Sequence, residues 1–202
     1  MPAGPPIAQT VSPALQTVLD SLGTSPAWVM ERRWNILAWN WAACGVFGDF
    51  GMLAVRERNI LWFVFTNETL RRRLVDWEAF TWSMLATFHA SGGVYVGEPW
   101  FYRLVEYLKE ASPEFREWWS RHYGRGAPLE RVRLDHPSVG PLELDNVSFQ
   151  VNGNPELRVC VCAAIVGSET ADKIQQLIDP AVADHPLRID FKESVIYRSQ
   201  AP

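Results

Sequence analysis

The sequence predicts an α+β domain built on a five-stranded antiparallel sheet, with a helical block inserted between the second and third strands and an N-terminal helix in front. Three observations predict it. Near the start, two short runs rich in Trp, Val and Ile, Ala27 to Met30 and Trp34 to Trp39, flank the charged trio Glu31-Arg32-Arg33, the pattern of a tight hairpin. From Asn67 to Trp119 apolar residues recur at the helical spacings of three and four. From Leu142 to Val166 the period is two, or the run is apolar throughout, as in half-buried and fully buried strands. Strands, then helices, then strands again is an α+β order.

Taken in order, residues 1–11 hold Pro2, Gly4, Pro5 and Pro6 with no apolar period and are expected to be flexible. Ser12-Pro13 opens a connecting helix over 12–25, with Leu15, Val18, Leu19 and Leu22 as one stripe before Gly23. The main domain spans 26–167. After the hairpin, the Asn40 side chain is placed to cap a short helix, Trp41 to Phe47. Met52 to Phe65 fits a short helix with an extended exit or two short helices, and Ile60 to Phe65 is buried either way. Asn67 is expected to cap one long helix in which Leu70, Leu74, Trp77, Thr81, Leu85 and Phe88 form one stripe, with Val75, Ala79, Trp82 and Ala86 as a second. A further helix starts at Glu98-Pro99, with Trp100, Leu104, Tyr107, Leu108 and Ala111 inward, and Ser112-Pro113 starts another that Gly124 and Gly126 stop.

A strand is expected near Val132 to His136. In the next one the apolar phase flips at Asp145-Asn146, between Leu142 and Leu144 on one side and Val147, Phe149 and Val151 on the other, so a bulge is expected there. Asn152-Gly153 turns the chain into a central strand, Leu157 to Val166. Residues 168–202 divide into a last helix, 168–179, and a tail with a strand-like stretch, Leu187 to Tyr197, that has no assigned place.

Composition narrows the function classes. With 202 residues, 48% hydrophobic and 21% charged, the chain can bury a sizeable core. A formal net charge of −4 supplies no basic field for phosphates, so this segment alone is not expected to bind nucleic acid. No apolar run approaches a bilayer span and no signal-peptide pattern opens the chain, which reads as cytoplasmic. Cys44, Cys160 and Cys162 do not make a disulfide framework; Cys160 and Cys162 share a strand face, as a redox pair or, more simply, as small residues filling a crowded sheet. No nucleophile elbow, phosphate loop, metalloprotease motif or dinucleotide fingerprint is present, so neither catalytic nor metal-binding residues are assigned.

Beyond the hairpin, RNILWFVF (Arg58 to Phe65), LRRRLVDWE (Leu70 to Glu78), SPEFREWW (Ser112 to Trp119) and HPSVGPLEL (His136 to Leu144) follow one another. Over Ser12 to Leu177 this succession resembles the ligand-binding domain of the MmyB-like bacterial transcription regulators. The resemblance implies a PAS-like fold with a pocket for a small, largely apolar molecule such as a fatty acid. It also implies that DNA is reached only through the family's N-terminal helix-turn-helix, where this chain has just MPAGPPIAQTV before its first helix.

The candidate ligand-binding residues are Arg71, Trp77, Arg58, Asn59, Asn40, Trp39, Phe115, Trp119 and His136. Arg71 matches the family's recurring Arg before Asp-Trp and is the candidate for a polar head group. Arg72 instead fits a solvated face, paired with Glu68 and Asp76 at spacings of four. Arg58 and Asn59 stand at a pocket mouth or in a turn. His136 fits a pocket donor, a haem ligand or a strand-end His bonded to backbone. Trp39, Trp77, Phe115 and Trp119, with Trp28 and Trp100, belong to a cavity lining or to plain core; ten Trp in the chain suits a lining. The reading is a ligand sensor, homodimeric through the leucine stripe and without a tightly held cofactor; the alternative is a ligand-free dimerisation module.

Overall fold

The computed structural model describes residues 11–91, 95, 97–120 and 130–184. The expectations for residues 1–10, for the stop at Gly124 and Gly126, and for the stretch Leu187 to Tyr197 lie outside them. Helix α1 (Pro13–Ser21) precedes the hairpin β1 (Ala27–Glu31) and β2 (Ile36–Trp39). The helical block follows as α2 (Trp41–Phe47), two 3-10 turns (Phe50–Met52 and Val55–Glu57), α3 (Ile60–Thr66), α4 (Glu68–Arg73), α5 (Trp77–Ser91), α6 (Pro99–Ala111) and α7 (Pro113–Ser120). Then come β3 (Arg131–His136), β4 (Gly140–Val151), β5 (Asn154–Ala164) and α8 (Thr170–Asp184). The five strands form one antiparallel sheet in the order β2-β1-β5-β4-β3, with β5, the strand read as central, in the middle.

One sheet face is covered by the helical block and α8. Trp28 and Met30 of β1, Val132 and Leu134 of β3, Leu142 and Leu144 of β4, and Cys160 and Cys162 of β5 belong to that main core. The opposite face carries a smaller core of Ala27, Val29, Ala38, Leu157, Val159 and Val161, onto which α1 lays Leu15, Leu19 and Leu22. Ser12 caps α1 by accepting from the Leu15 N–H at 3.2 Å. Helix α8 runs close along α2: a Cβ on Gly45 would stand 3.0 Å from the Leu177 Cβ, so only glycine fits there without a shift.

The single long helix expected from Asn67 onward is two helices. Asn67 caps the first, accepting from the Leu70 N–H at 2.8 Å. Leu74 then turns extended to bridge Leu134, and the Val75 N–H donates to the Arg133 carbonyl at 3.0 Å. Asp76 restarts the helix by accepting from the Ala79 N–H. The open side of β3 offers carbonyls that compete with the helix's own, and the spacing of Leu70, Leu74 and Trp77 is the same whether or not the helix breaks.

Other boundaries also move. The second hairpin strand begins at Ile36, because Trp34 sits in the turn with φ 69, a left-handed conformation that a bulky side chain seldom takes. Burial of its indole against Phe88, edge-on at 5.4 Å, offsets that strain. Within Met52 to Phe65 the chain forms helical turns and then α3, not an extended exit. On α6 the inward stripe is Trp100, Phe101, Val105 and Leu108, while Tyr107 and Ala111 are exposed. No bulge interrupts β4 at Asp145-Asn146: pairing to β5 runs from Leu144↔Ala164 to Gln150↔Arg158, and the shift comes only after Gln150. The apolar phase flips because the two ends of β4 face two different cores.

Candidate functional site

Two asparagines organise the approach to the helical block, and both are used to the full. Asn40 is 3% exposed; its Oδ1 accepts from the Ala27 and Ala43 N–H groups, each at 3.0 Å, and its Nδ2 donates to the carbonyls of Leu19 at 3.1 Å and Ser25 at 2.9 Å. One amide thus ties the end of α1, the start of β1 and the N-terminus of α2. Asn59 repeats the device: Oδ1 accepts from Leu61 and Trp62 at the start of α3, and Nδ2 donates to the Arg33 carbonyl and to Asn35 Oδ1. Its neighbour Arg58 donates to the carbonyls of Leu53 and Gly51 and lies 6.0 Å from the Trp39 ring, which meets Phe50 edge-on. These four candidates stand near the hairpin and its flanking turns.

Arg71, Trp77, Phe115 and Trp119 are brought together elsewhere, between α4, α5 and α7. The Arg71 guanidinium lies 3.9 Å above the Trp77 ring and donates to Glu114 Oε1 at 2.6 Å. Ser112 donates to the other Glu114 oxygen at 3.0 Å. Burial pushes the Glu114 carboxyl up, but the Arg71 hydrogen bond, the backbone and Ser112 outweigh it, leaving it below the usual carboxylate range. Trp77 donates its indole N–H to the Val64 carbonyl at 3.0 Å. Phe65 meets Phe115 edge-on at 5.0 Å, and Phe115 stacks on Trp119 at 5.5 Å, 12° from parallel. This is an aromatic wall with an ion pair at its rim. Arg72, as expected, is exposed and lies 3.8 Å from Glu68.

His136, 7% exposed at the end of β3, accepts at Nδ1 from the Ser138 N–H at 3.3 Å, and its ring stands against the Gly45 backbone. Burial, then the nearby Arg73 charge, push its pKa below the ordinary histidine value. Arg73 in turn donates to the Val46 carbonyl at 3.3 Å. The two side chains therefore reach the C-terminal turn of α2, where carbonyls lack helical partners. None of the three cysteines is in a disulfide; burial pushes Cys160 up to about 12 and Cys162 higher still.

Register also shows what sequence reading missed. With no bulge in β4, Asn146, Ser148 and Gln150 lie on the main-core face, in line with Cys162, Cys160 and Arg158, and all three are exposed. Along β4 that face is apolar at Leu142 and Leu144 and polar from Asn146 to Gln150. Trp28 Nε1 and Trp100 Nε1, in the main core, and Thr81 Oγ1 of α5 are buried with no hydrogen-bond partner among the described residues. The alternation from Asn146 to Val151 carries the signal for the polar strip, once the phase flip is read as two cores and not as a bulge.

A five-stranded antiparallel sheet with a helical block between its second and third strands is the PAS-like α+β architecture, and the class of protein follows from the family match. Residues 11–177 match the model of the MmyB-like transcription regulator ligand binding domain, and the chain belongs to that family. The family is a ligand-sensing, non-enzymatic part of transcription regulators. No curated protein matches the chain. Among the described residues, no helix is long and apolar enough to cross a membrane.

Proposed function

We propose that the domain senses a small amphiphile of fatty-acid type, held between the aromatic wall of α5 to α7 and the main-core face of the sheet. The observation that carries this reading is the set of three buried polar atoms, Trp28 Nε1, Thr81 Oγ1 and Trp100 Nε1, left without partners among the described residues, the two indoles amid other aromatic rings. Buried polar groups are nearly always hydrogen-bonded, so groups left open mark a place where something else binds. A cleft beside β3, between Leu74, Phe80 and Val132, has about 70 Å³, far below the several hundred Å³ a lipid-sized ligand fills. In this reading binding selects an arrangement in which the aromatic helices stand further from the sheet, and the shift passes through Asn40 to α1 and on to a DNA-binding segment. Native mass spectrometry of the purified chain tests this: a retained acyl chain, with a melting temperature that rises on adding dodecanoic acid, supports it. No bound lipid and no shift refute it.

A second reading, a homodimerisation module, is favoured by the face that α1 covers only in part. Val18, Val147 and Phe149 there are 52%, 53% and 52% exposed, which is unusual for three large apolar side chains around one small core. Light scattering of the wild type and Phe149→Glu distinguishes it: a dimer that the substitution dissociates supports the module, and a monomer in both excludes it.

A further inference from the structure

We propose that Arg158, with the Trp28 indole N–H and Ser148 beside it, is the receptor for the ligand's carboxylate, on the sheet and away from the Arg71 ion pair. The inference rests on the ligand-sensing reading above and adds the group that recognises the charged end. Arg158 occupies the middle of the main-core face, paired across β5 with Met30 on one side and Gln150 on the other. Two residues on, Cys160 pairs with Trp28 and Ser148, so these side chains form the adjacent row. Diagonal neighbours of this kind lie about 7–8 Å apart at the backbone, within reach of long side chains.

Arg158 is partly buried yet has no side-chain ion pair or hydrogen bond among the described residues, and unlike Arg33, which lies over the Trp100 ring, it is matched with no aromatic face there either. Arg71 has Glu114 at 2.6 Å, and Arg32 has Glu98 at 3.2 Å and Glu156 at 3.3 Å. The nearby acids are committed elsewhere: Glu156 to Arg32, and Glu31 to the Asn35 amide at 2.8 Å. A partly desolvated guanidinium with no counter-charge is costly, and its planar fork matches a carboxylate. The Trp28 N–H, on a side chain only 8% exposed, is a second donor with no acceptor, and the exposed Ser148 hydroxyl is a third. A donor set of this kind suits an anion. The neutral thiols of Cys160 and Cys162 and the Met30 side chain continue from it as an apolar floor, so the fitting ligand is a single carboxylate on an apolar chain.

The test is calorimetric titration of the full chain with dodecanoic acid and with 1-dodecanol, for wild type, Arg158→Met, Arg158→Lys and the exposed control Arg103→Met, with melting curves to show that each is folded. A charge-assisted hydrogen bond predicts that wild type and Arg103→Met bind the acid about tenfold or more tightly than the alcohol. Arg158→Met should lose that preference with alcohol binding unchanged, and Arg158→Lys should regain part of it. Wild type binding acid and alcohol equally, or Arg158→Met keeping the preference, overturns the carboxylate receptor while the apolar-ligand reading stands. Binding of neither compound by wild type overturns both.

Discussion

Replacing Asn40 with alanine removes four hydrogen bonds with one substitution, and the structure permits an estimate of the cost. The Ala43 N–H loses its cap, typically about 1 kcal/mol. The Ala27 N–H and the Leu19 carbonyl lose buried partners, at about 1–3 kcal/mol each when left unsatisfied. The Ser25 carbonyl is only partly buried and can turn to water. Together these give a loss of about 3–7 kcal/mol, a large part of a typical domain's stability. The backbone bond from the Asn40 N–H to the Ala27 carbonyl remains, so the hairpin itself should persist. Urea unfolding followed by tryptophan fluorescence, with wild type and variant fitted to a common slope, measures the loss. Hydrogen exchange should show it concentrated at Leu19 to Ala27, where α1 meets β1. A loss below about 1 kcal/mol, or exchange unchanged there, would refute the role given to this amide.

Two further outcomes follow from the titrating groups. The His136 pKa is lower folded than unfolded, so its contribution to stability is complete above the unfolded value near 6.5 and is lost as pH falls below it. Stability measured between pH 7.5 and 5.5 should therefore fall more steeply for wild type than for His136→Gln, and parallel curves would contradict the buried neutral ring. With Cys160 pushed up to about 12 and Cys162 higher, while Cys44 is only partly buried, a maleimide at pH 7.5 should label Cys44 first and the strand pair only on unfolding. Mass spectrometry of the labelled peptides reads this directly.

Much of the architecture was legible because local signals and tertiary demands agreed. Ser12, Asn40 and Asn67 cap the helices their positions imply, and Asn152-Gly153 turns β4 into β5 with Gly153 at φ 81. Where the reading departed from the structure, a distant partner had decided a local question. Leu74 leaves the helix for β3, Trp34 takes a turn conformation because its ring is buried, and Val147 and Phe149 face away because the sheet has a core on each side. The candidate residues were less legible. Their types marked importance, but sequence alone gave no sign that Asn40, Asn59 and Arg58 spend their polar atoms on backbone partners, or that Glu114 lies against Arg71 from 43 residues away.

The extended pieces that interrupt the helical block also guard the sheet's borders. At the outer side of β2, the Ile36 N–H donates to the Arg58 carbonyl at 2.7 Å and the Ile60 N–H to the Trp34 carbonyl at 2.9 Å; at the outer side of β3, Leu74 and Val75 meet Leu134 and Arg133. Each margin is thereby occupied at one point by the chain's own backbone, so a foreign strand seeking to zip along it would first have to dislodge α3 or the α4–α5 junction. That obstructs the edge-to-edge stacking through which open sheets aggregate, and it steers any association of this domain toward its faces.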